Sequence, residues 1–191
     1  VIGVPKTIDN DLFGTDHCPG FASAAKYIAT TIMEINLDAK VYDTGMICII
    51  EAMGRNAGWL TASAALANSK GLGADLIYLP EVPFDVDKFV ADVKGVLAKN
   101  DNKCIVCVSE GIKNKDGVLI GEVLGQAGAR DSFGHAQLGG VAANLANIIK
   151  EKTGIKTRAI ELSLMQRCAA HCASDTDIEE TFEAGKQAVK A

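Results

Sequence analysis

The chain has 191 residues, 48% of them hydrophobic and 5% aromatic, with 19 glycines and a net charge of −5. That length can bury one substantial core, and short Val/Ile runs alternating with longer helical patterns favour α/β over all-α or all-β. With no Lys/Arg cluster, no apolar run near the ~18 residues of a membrane span and no signal-peptide pattern, nucleic acid and membranes are poor partners and the expected location is cytoplasmic.

Val1-Ile2-Gly3-Val4 is a β-branched run that stops at Pro5, the pattern of a strand entering a loop. That loop, Pro5-Lys6-Thr7-Ile8-Asp9-Asn10-Asp11, gathers a lysine, a hydroxyl and two carboxylates. In an extended segment Asp9 and Asp11 point to one side. One cation beside two acids suits phosphoryl transfer. The lysine neutralises the moving group, one carboxylate accepts the proton of the attacking hydroxyl, and the other holds Mg²⁺. The same residues also compose a polar turn with an Asx cap, and spacing alone does not separate the two readings.

Downstream, Phe21, Ala25, Ile28, Ile32 and Ile35 fall on one helical stripe. A buried strand is expected from about Met46 to Ile50, then a small-residue helix from about Ala57 to Asn68 that closes at Lys70-Gly71. Leu76 to Leu79 reads as a strand ended by Pro80. Asp85 reads as the N-cap of a helix carrying Phe89, Val90, Val93, Val96 and Leu97, and Cys104 to Ser109 as the next strand. Lys113-Asn114-Lys115-Asp116-Gly117 is a turn signal, so residues 110–127 read as an excursion with a hairpin. Leu138, Val141, Leu145, Ile148 and Ile149 make another helix, stopped by Gly154. Arg158 to Leu162 is the last strand, and a final helix starts near Ser174 or Thr176. This alternation implies one doubly wound domain with a mainly parallel sheet flanked by helices.

Six cysteines are present. Cys104 and Cys107, three apart in a strand, face opposite sides and cannot share a metal. Cys168, His171 and Cys172 would converge on a helix but lack a second pair to complete a zinc site, so buried free thiols are expected.

Pro5 to Asp11 resembles the PKTIDND signature of 6-phosphofructokinases, in particular their pyrophosphate-dependent branch. The run Glu51-Ala52-Met53-Gly54-Arg55-Asn56-Ala57-Gly58-Trp59 resembles the family's MGR-x-x-GW loop, and Ser109-Glu110-Gly111 its SEG turn. Lys156-Thr157-Arg158-Ala159 followed by Met165-Gln166-Arg167 resembles its TR…QR pair. These motifs stand in the family's order and span nearly the whole chain. Thr7-Ile8-Asp9, Met53-Gly54-Arg55 and Glu110 also fall at the expected carboxyl ends of strands, where open α/β sheets bind ligands. Singly, Arg55 reads as a solvated helix start and Glu110 as a helix-dipole partner. Their convergence favours function.

The resemblance implies Mg²⁺-dependent transfer of phosphate from pyrophosphate to the 1-hydroxyl of fructose 6-phosphate, a step of glycolysis. It makes Asp9 the base, Lys6 the cation on the transferring group and Asp11 a metal support. The sugar phosphate would be held by Thr7, Ile8, Asp9, Met53, Gly54, Arg55, Glu110, Leu164, Met165, Gln166 and Arg167, with Arg158 acting on a neighbouring subunit of a homo-oligomer, dimer or tetramer. Arg158 opens its strand whereas Arg167 lies beyond the other end, and nine extended residues span about 30 Å, so the two cannot share one small sugar. Residues 1–167 would form the sugar-phosphate domain, with 1–11 shared with a donor domain to which the helix of 168–191 belongs. The family's glycine-rich donor loop precedes the first motif, and nothing in this sequence matches it. The chain is therefore expected to be a piece of the enzyme, inactive alone.

Some positions depart from the family. Met46 stands where a second subunit-crossing arginine is usual, Leu164 where His or Tyr is usual, Cys168-Ala169 in place of a glycine pair, and Asn56 in place of His. The first two thin the 6-phosphate contacts and leave a larger ketose phosphate open as acceptor. ATP is the alternative donor, and a sugar-phosphate-binding regulatory subunit without catalysis is the alternative class. A generic nucleotide-binding domain is disfavoured because no Gly-x-Gly-x-x-Gly or Walker A run is present.

Overall fold

The computed structural model describes residues 1–125 and 140–191. Four strands, β1 (Met46–Ala52), β2 (Leu76–Tyr78), β3 (Lys103–Ser109) and β4 (Lys156–Glu161), form one parallel sheet in the order β2-β3-β1-β4. The central strands β1 and β3 are hydrophobic at nearly every position because both of their faces are covered. Met46, Cys48 and Ile50 enter one core with Ile105 and Cys107, under α1 (Phe21–Val41) and the helical stretch of residues 59–70. Ile47 and Ile49 enter the other with Cys104, Val106 and Val108, under α3 (Val86–Leu97) and α5 (Val141–Thr153). The α/β sandwich expected from the alternation is therefore what forms, and Cys104 and Cys107 do lie on opposite faces.

Local signals account for most of the boundaries. In α1, Ala25, Ile28 and Ile32 are buried as their stripe requires. Asp85 caps α3 by accepting the Lys88 N–H at 2.7 Å. The helix expected from Ala57 to Asn68 is one α turn, α2 (Trp59–Ala62), that tightens into a 3₁₀ helix over Ser63–Lys70. The hydroxyls of Ser63 and Ser69 donate to the carbonyls three residues back, at Leu60 and Leu66, which suits that tighter winding.

Three expectations need correction. Val1 to Val4 form no strand, and Val1, Ile2 and Val4 are exposed. Strand propensity is realised only against a partner, and none of the described strands pairs with this run. The hairpin of residues 110–127 is reduced to one antiparallel bridge between Lys113 and Leu119 around a turn, where Asn114 Oδ1 accepts the N–H groups of Asp116 and Val118. The chain then enters α4 (Ile120–Leu124), and residues 126–127, like Leu138, lie outside the described residues. After β4 comes an unanticipated short helix, α6 (Met165–Cys168), then a 3₁₀ turn over Ala170–Cys172 and the final helix α7 (Asp175–Lys190).

All six cysteines are free. Five are buried and Cys168 is exposed. No described helix is long and apolar enough to cross a membrane.

Candidate active site

The acidic loop is held from below. Ile8 is only 7% exposed and packs into the core under α1, so its side chain anchors the loop. The Asp9 N–H donates to Thr7 Oγ1 at 3.1 Å. Asn10 takes the left-handed conformation, φ 60, and its Oδ1 accepts the Cys18 N–H at 2.8 Å, which closes the loop on itself. The segment is thus not extended, and the two-residue spacing of Asp9 and Asp11 does not act as it would in a strand. Asp11 still lies near enough to raise the Asp9 carboxyl pKa. Lys6 and Asp11 are exposed, whereas Thr7 and Asp9 are half-buried.

The second wall follows β1 and β3. The Gly54 N–H donates to Glu110 Oε1 at 3.1 Å, and Ser109 Oγ donates to the Gly54 carbonyl at 2.6 Å. Gly54 has φ 129, and a Cβ there would meet the Ala57 carbonyl oxygen at 2.4 Å. At Gly111 a Cβ would lie 2.0 Å from the Arg55 carbonyl oxygen. Only glycine allows the two loops to approach this closely. The Glu110 N–H continues the ladder by donating to the Ala52 carbonyl.

The third wall is α6. Gln166 is 3% exposed; its Oε1 accepts the Met53 N–H and its Nε2 donates to the Ser163 carbonyl, both at 3.1 Å. Both ends of this amide are occupied by the protein, so Gln166 orients the Met53 backbone. Arg167, Gln166, Cys168 and Lys6 line one cavity of about 310 Å³ with Ile8 and the start of α1. Leu164 and Met165 are exposed beside it. Arg158, third in β4 and opposite Cys48, is exposed toward the other end of the sheet and does not join the cluster. Met46 is fully buried in the core.

Electrostatics tie the walls together. Burial pushes the Asp9 carboxyl up, Asp11 adds to this, and Lys6 and Arg55 pull it down. Burial also raises Glu110; Gly54 N–H and Arg55 oppose that rise while Asp9 and Glu161 reinforce it. Asp9, Arg55 and Glu110 therefore lie within one electrostatic neighbourhood. Half-desolvated acids beside an arginine, with a lysine across the loop, can accept a proton and bind an anion. Among the described residues, no group of three or more His, Cys, Asp or Glu side chains is arranged to hold a metal by itself.

Sequence reasoning gave no role to three polar residues that shape these walls. Asn10 sets the loop, and an Asn between two acids was the signal for its left-handed turn. Asp177 on α7, buried, accepts the Gly20 and Ser23 N–H groups at 2.8 and 2.7 Å and so caps α1 from across the chain. Glu51, at the end of β1, is buried with its carboxyl raised to about 7, chiefly by burial. Nothing local marks Asp177, and Glu51 heads the run that leads into Met53-Gly54-Arg55 without a role of its own in that motif.

Comparison with known proteins agrees with this geometry. The phosphofructokinase family profile matches residues 1–191. A pyrophosphate–fructose 6-phosphate 1-phosphotransferase of Xanthomonas campestris is 48% identical over 99% of this chain and 45% of its own length. The enzyme of the same name from Methylococcus capsulatus is 42% identical over 99% of this chain and 44% of its own. The crystal structure of the pyrophosphate-dependent phosphofructokinase from Marinobacter aquaeolei superposes with a TM-score of 0.80 at 39% identity, covering 99% of this chain and 43% of that one. This chain spans somewhat less than half the length of these relatives. A profile match from end to end, carried by loops whose glycines and carboxylates meet in space, means that the chain belongs to the phosphofructokinase family.

Proposed function

We propose that this chain supplies the sugar-phosphate face and the catalytic base of a pyrophosphate-dependent 6-phosphofructokinase. The observation that carries the reading is the meeting of Asp9, Arg55 and Glu110 in one electrostatic neighbourhood, beside a cavity that Lys6 and Arg167 line. Asp9, half-buried and with its carboxyl pKa raised by burial, accepts the proton of the sugar 1-hydroxyl as its oxygen attacks phosphorus. The bond between that phosphorus and the bridging oxygen of pyrophosphate breaks, and phosphate leaves. Lys6 stabilises the charge on the moving group. Thr7, the Met53 and Gly54 backbone and Glu110 bind sugar hydroxyls, and Arg55 and Arg167 take the phosphate.

Pyrophosphate is favoured over ATP by Lys6, which matches that branch, and by the names of the relatives. Mg²⁺ fits the residues present, since Asp11, exposed beside the base Asp9, would help hold an ion that needs only one or two carboxylates from the protein. When bound it neutralises phosphate charge. Arg158, exposed on the edge strand β4, is suited to reach a neighbouring copy, so the working enzyme is a homo-oligomer. Residues 168–191 we assign to the donor half. Six free thiols agree with a reducing, cytoplasmic setting.

A coupled assay of the catalytically competent protein with fructose 6-phosphate, Mg²⁺ and either donor tests the reading. Turnover with pyrophosphate is expected, and Lys6→Met is expected to depress kcat more than sugar affinity. Turnover with ATP alone would reassign the donor. Sugar binding without turnover with either donor would make the chain part of a regulatory subunit.

A further inference from the structure

Glu51 has no part in the chemistry above, yet it lies beneath the loops that perform it. It is the sixth residue of β1 and 2% exposed. Two residues later the chain enters the Met53–Arg55 loop, and the Glu51 carbonyl accepts the Leu162 N–H that leads toward α6. Its register partner across the sheet is Glu161 of β4, and Glu110 stands just past the end of the other neighbour, β3. Three carboxylates thus crowd the ends of three adjacent strands.

Their surroundings differ. Glu51 Oε2 accepts the Ala142 N–H, in the first turn of α5, at 2.8 Å. Glu51 Oε1 is buried and has no hydrogen-bond partner among the described residues. An ionised carboxylate with one oxygen stripped of solvent and two acids nearby is costly, and the neutral acid is much less so. Among the described residues, the groups that act on Glu51 are Glu161 from β4, Glu110 from the end of β3, and the N–H groups of Val141 and Ala142 at the start of α5. The two acids oppose ionisation and the amides favour it, while burial outweighs either.

We propose that Glu51 is a proton-bearing positioning residue for the sugar-phosphate site: neutral, it pins α5 to the end of β1 and leaves Glu110 free to accept sugar hydroxyls; ionised, it sets a buried negative charge behind Glu110 and weakens binding of the anionic sugar. This rests on the sugar-phosphate reading of the site.

The test is the affinity for fructose 6-phosphate of the catalytically competent protein across neutral pH, in the wild type, Glu51→Gln and Glu161→Gln. The sugar's own phosphate ionises near pH 6 in all three, so differences between variants report the protein. Wild-type affinity is expected to fall by roughly fivefold or more as pH rises through neutrality. Glu51→Gln should flatten that fall, and Glu161→Gln, an exposed change that removes one opposing charge, should move its midpoint to lower pH.

Melting temperature gives a second readout without sugar. A folded-state carboxyl raised from 4.5 to about 7 contributes stability below that window and loses it as pH rises through it. The wild type should therefore lose melting temperature relative to Glu51→Gln between those values. Superimposed affinity and melting profiles for wild type and Glu51→Gln would overturn the proposal. Should Glu51→Gln not fold, an unmoved midpoint in Glu161→Gln would overturn it instead. A wild type that binds no fructose 6-phosphate at any pH sinks the sugar-phosphate reading and this proposal's binding claim together. The melting comparison then still decides whether Glu51 carries the proton.

Discussion

Glu110 Oε1 accepts the Gly54 N–H at 3.1 Å, joining the loop after β1 to the turn after β3. One oxygen of the carboxylate fixes backbone, and on the proposed function the other accepts from the sugar. Glu110→Gln keeps an acceptor for Gly54 but replaces a charged acceptor toward the sugar by a neutral one. Sugar KM should rise by about tenfold, the loss of roughly 1.4 kcal/mol, with melting temperature nearly unchanged. Glu110→Ala instead leaves the buried Gly54 N–H unpaired and should also cost about 1–3 kcal/mol of stability. Steady-state kinetics and chemical denaturation of the pair separate binding from scaffolding. Equal stability losses in both variants would show that charge, not the Gly54 bond, holds the loop.

Asp9→Asn preserves shape but cannot accept the hydroxyl proton. On the proposed mechanism kcat falls by roughly 10² or more while sugar KM changes little. A variant with near-normal turnover would remove Asp9 from the role of base.

Much of this was legible because it is local. The stripe of α1, the unbroken apolar runs of β1 and β3 and the Asp85 cap are each written within a few residues. The motifs named Asp9, Gly54, Arg55, Glu110 and Gln166, and these do converge, while Arg158 stands toward the other end of the sheet as chain length implied. What escaped was non-local or too short. Val1 to Val4 has strand chemistry, but pairing depends on a neighbour that the run itself does not encode. A four-residue helix such as α6 is shorter than the repeat that would reveal it. The Asp9–Asp11 geometry failed on Asn10, whose positive φ ends the extended run. Asp177 meets Gly20 from 157 residues away, and its acid looks like any other on a polar helix until the fold brings it there.

That clamp is the basis of a stability prediction. Asp177 satisfies two N–H groups at the start of α1, where Gly20 lies so close to the Ile8 anchor of the acidic loop that an added Cβ would meet Ile8 Cγ2 at 3.1 Å. Asp177→Ala removes both acceptors and should destabilise the protein by about 2 kcal/mol. Asp177→Asn retains one oxygen and should lose roughly half of that. Urea titration of the two variants is the measurement. Wild-type stability in Asp177→Ala would mean that water replaces the carboxylate at no cost.

Gln166 offers the sharpest division between touching a substrate and positioning what does. Its amide oxygen accepts from Met53 and its nitrogen donates to Ser163, a non-glycine residue held at φ 43. Gln166→Leu fills the same volume but orphans both partners, at about 1–3 kcal/mol, and frees the Met53 backbone. Sugar KM should therefore rise more than tenfold, in line with the lower half of that loss, with a smaller fall in kcat. A second substitution tells the two roles apart. Ser163→Gly relieves the left-handed strain, worth of order 1 kcal/mol, so it should restore part of both stability and sugar affinity in the Gln166→Leu background. A Gln166 that bound sugar directly would show recovered stability with no recovery of KM, and that outcome would return it to the list of substrate contacts.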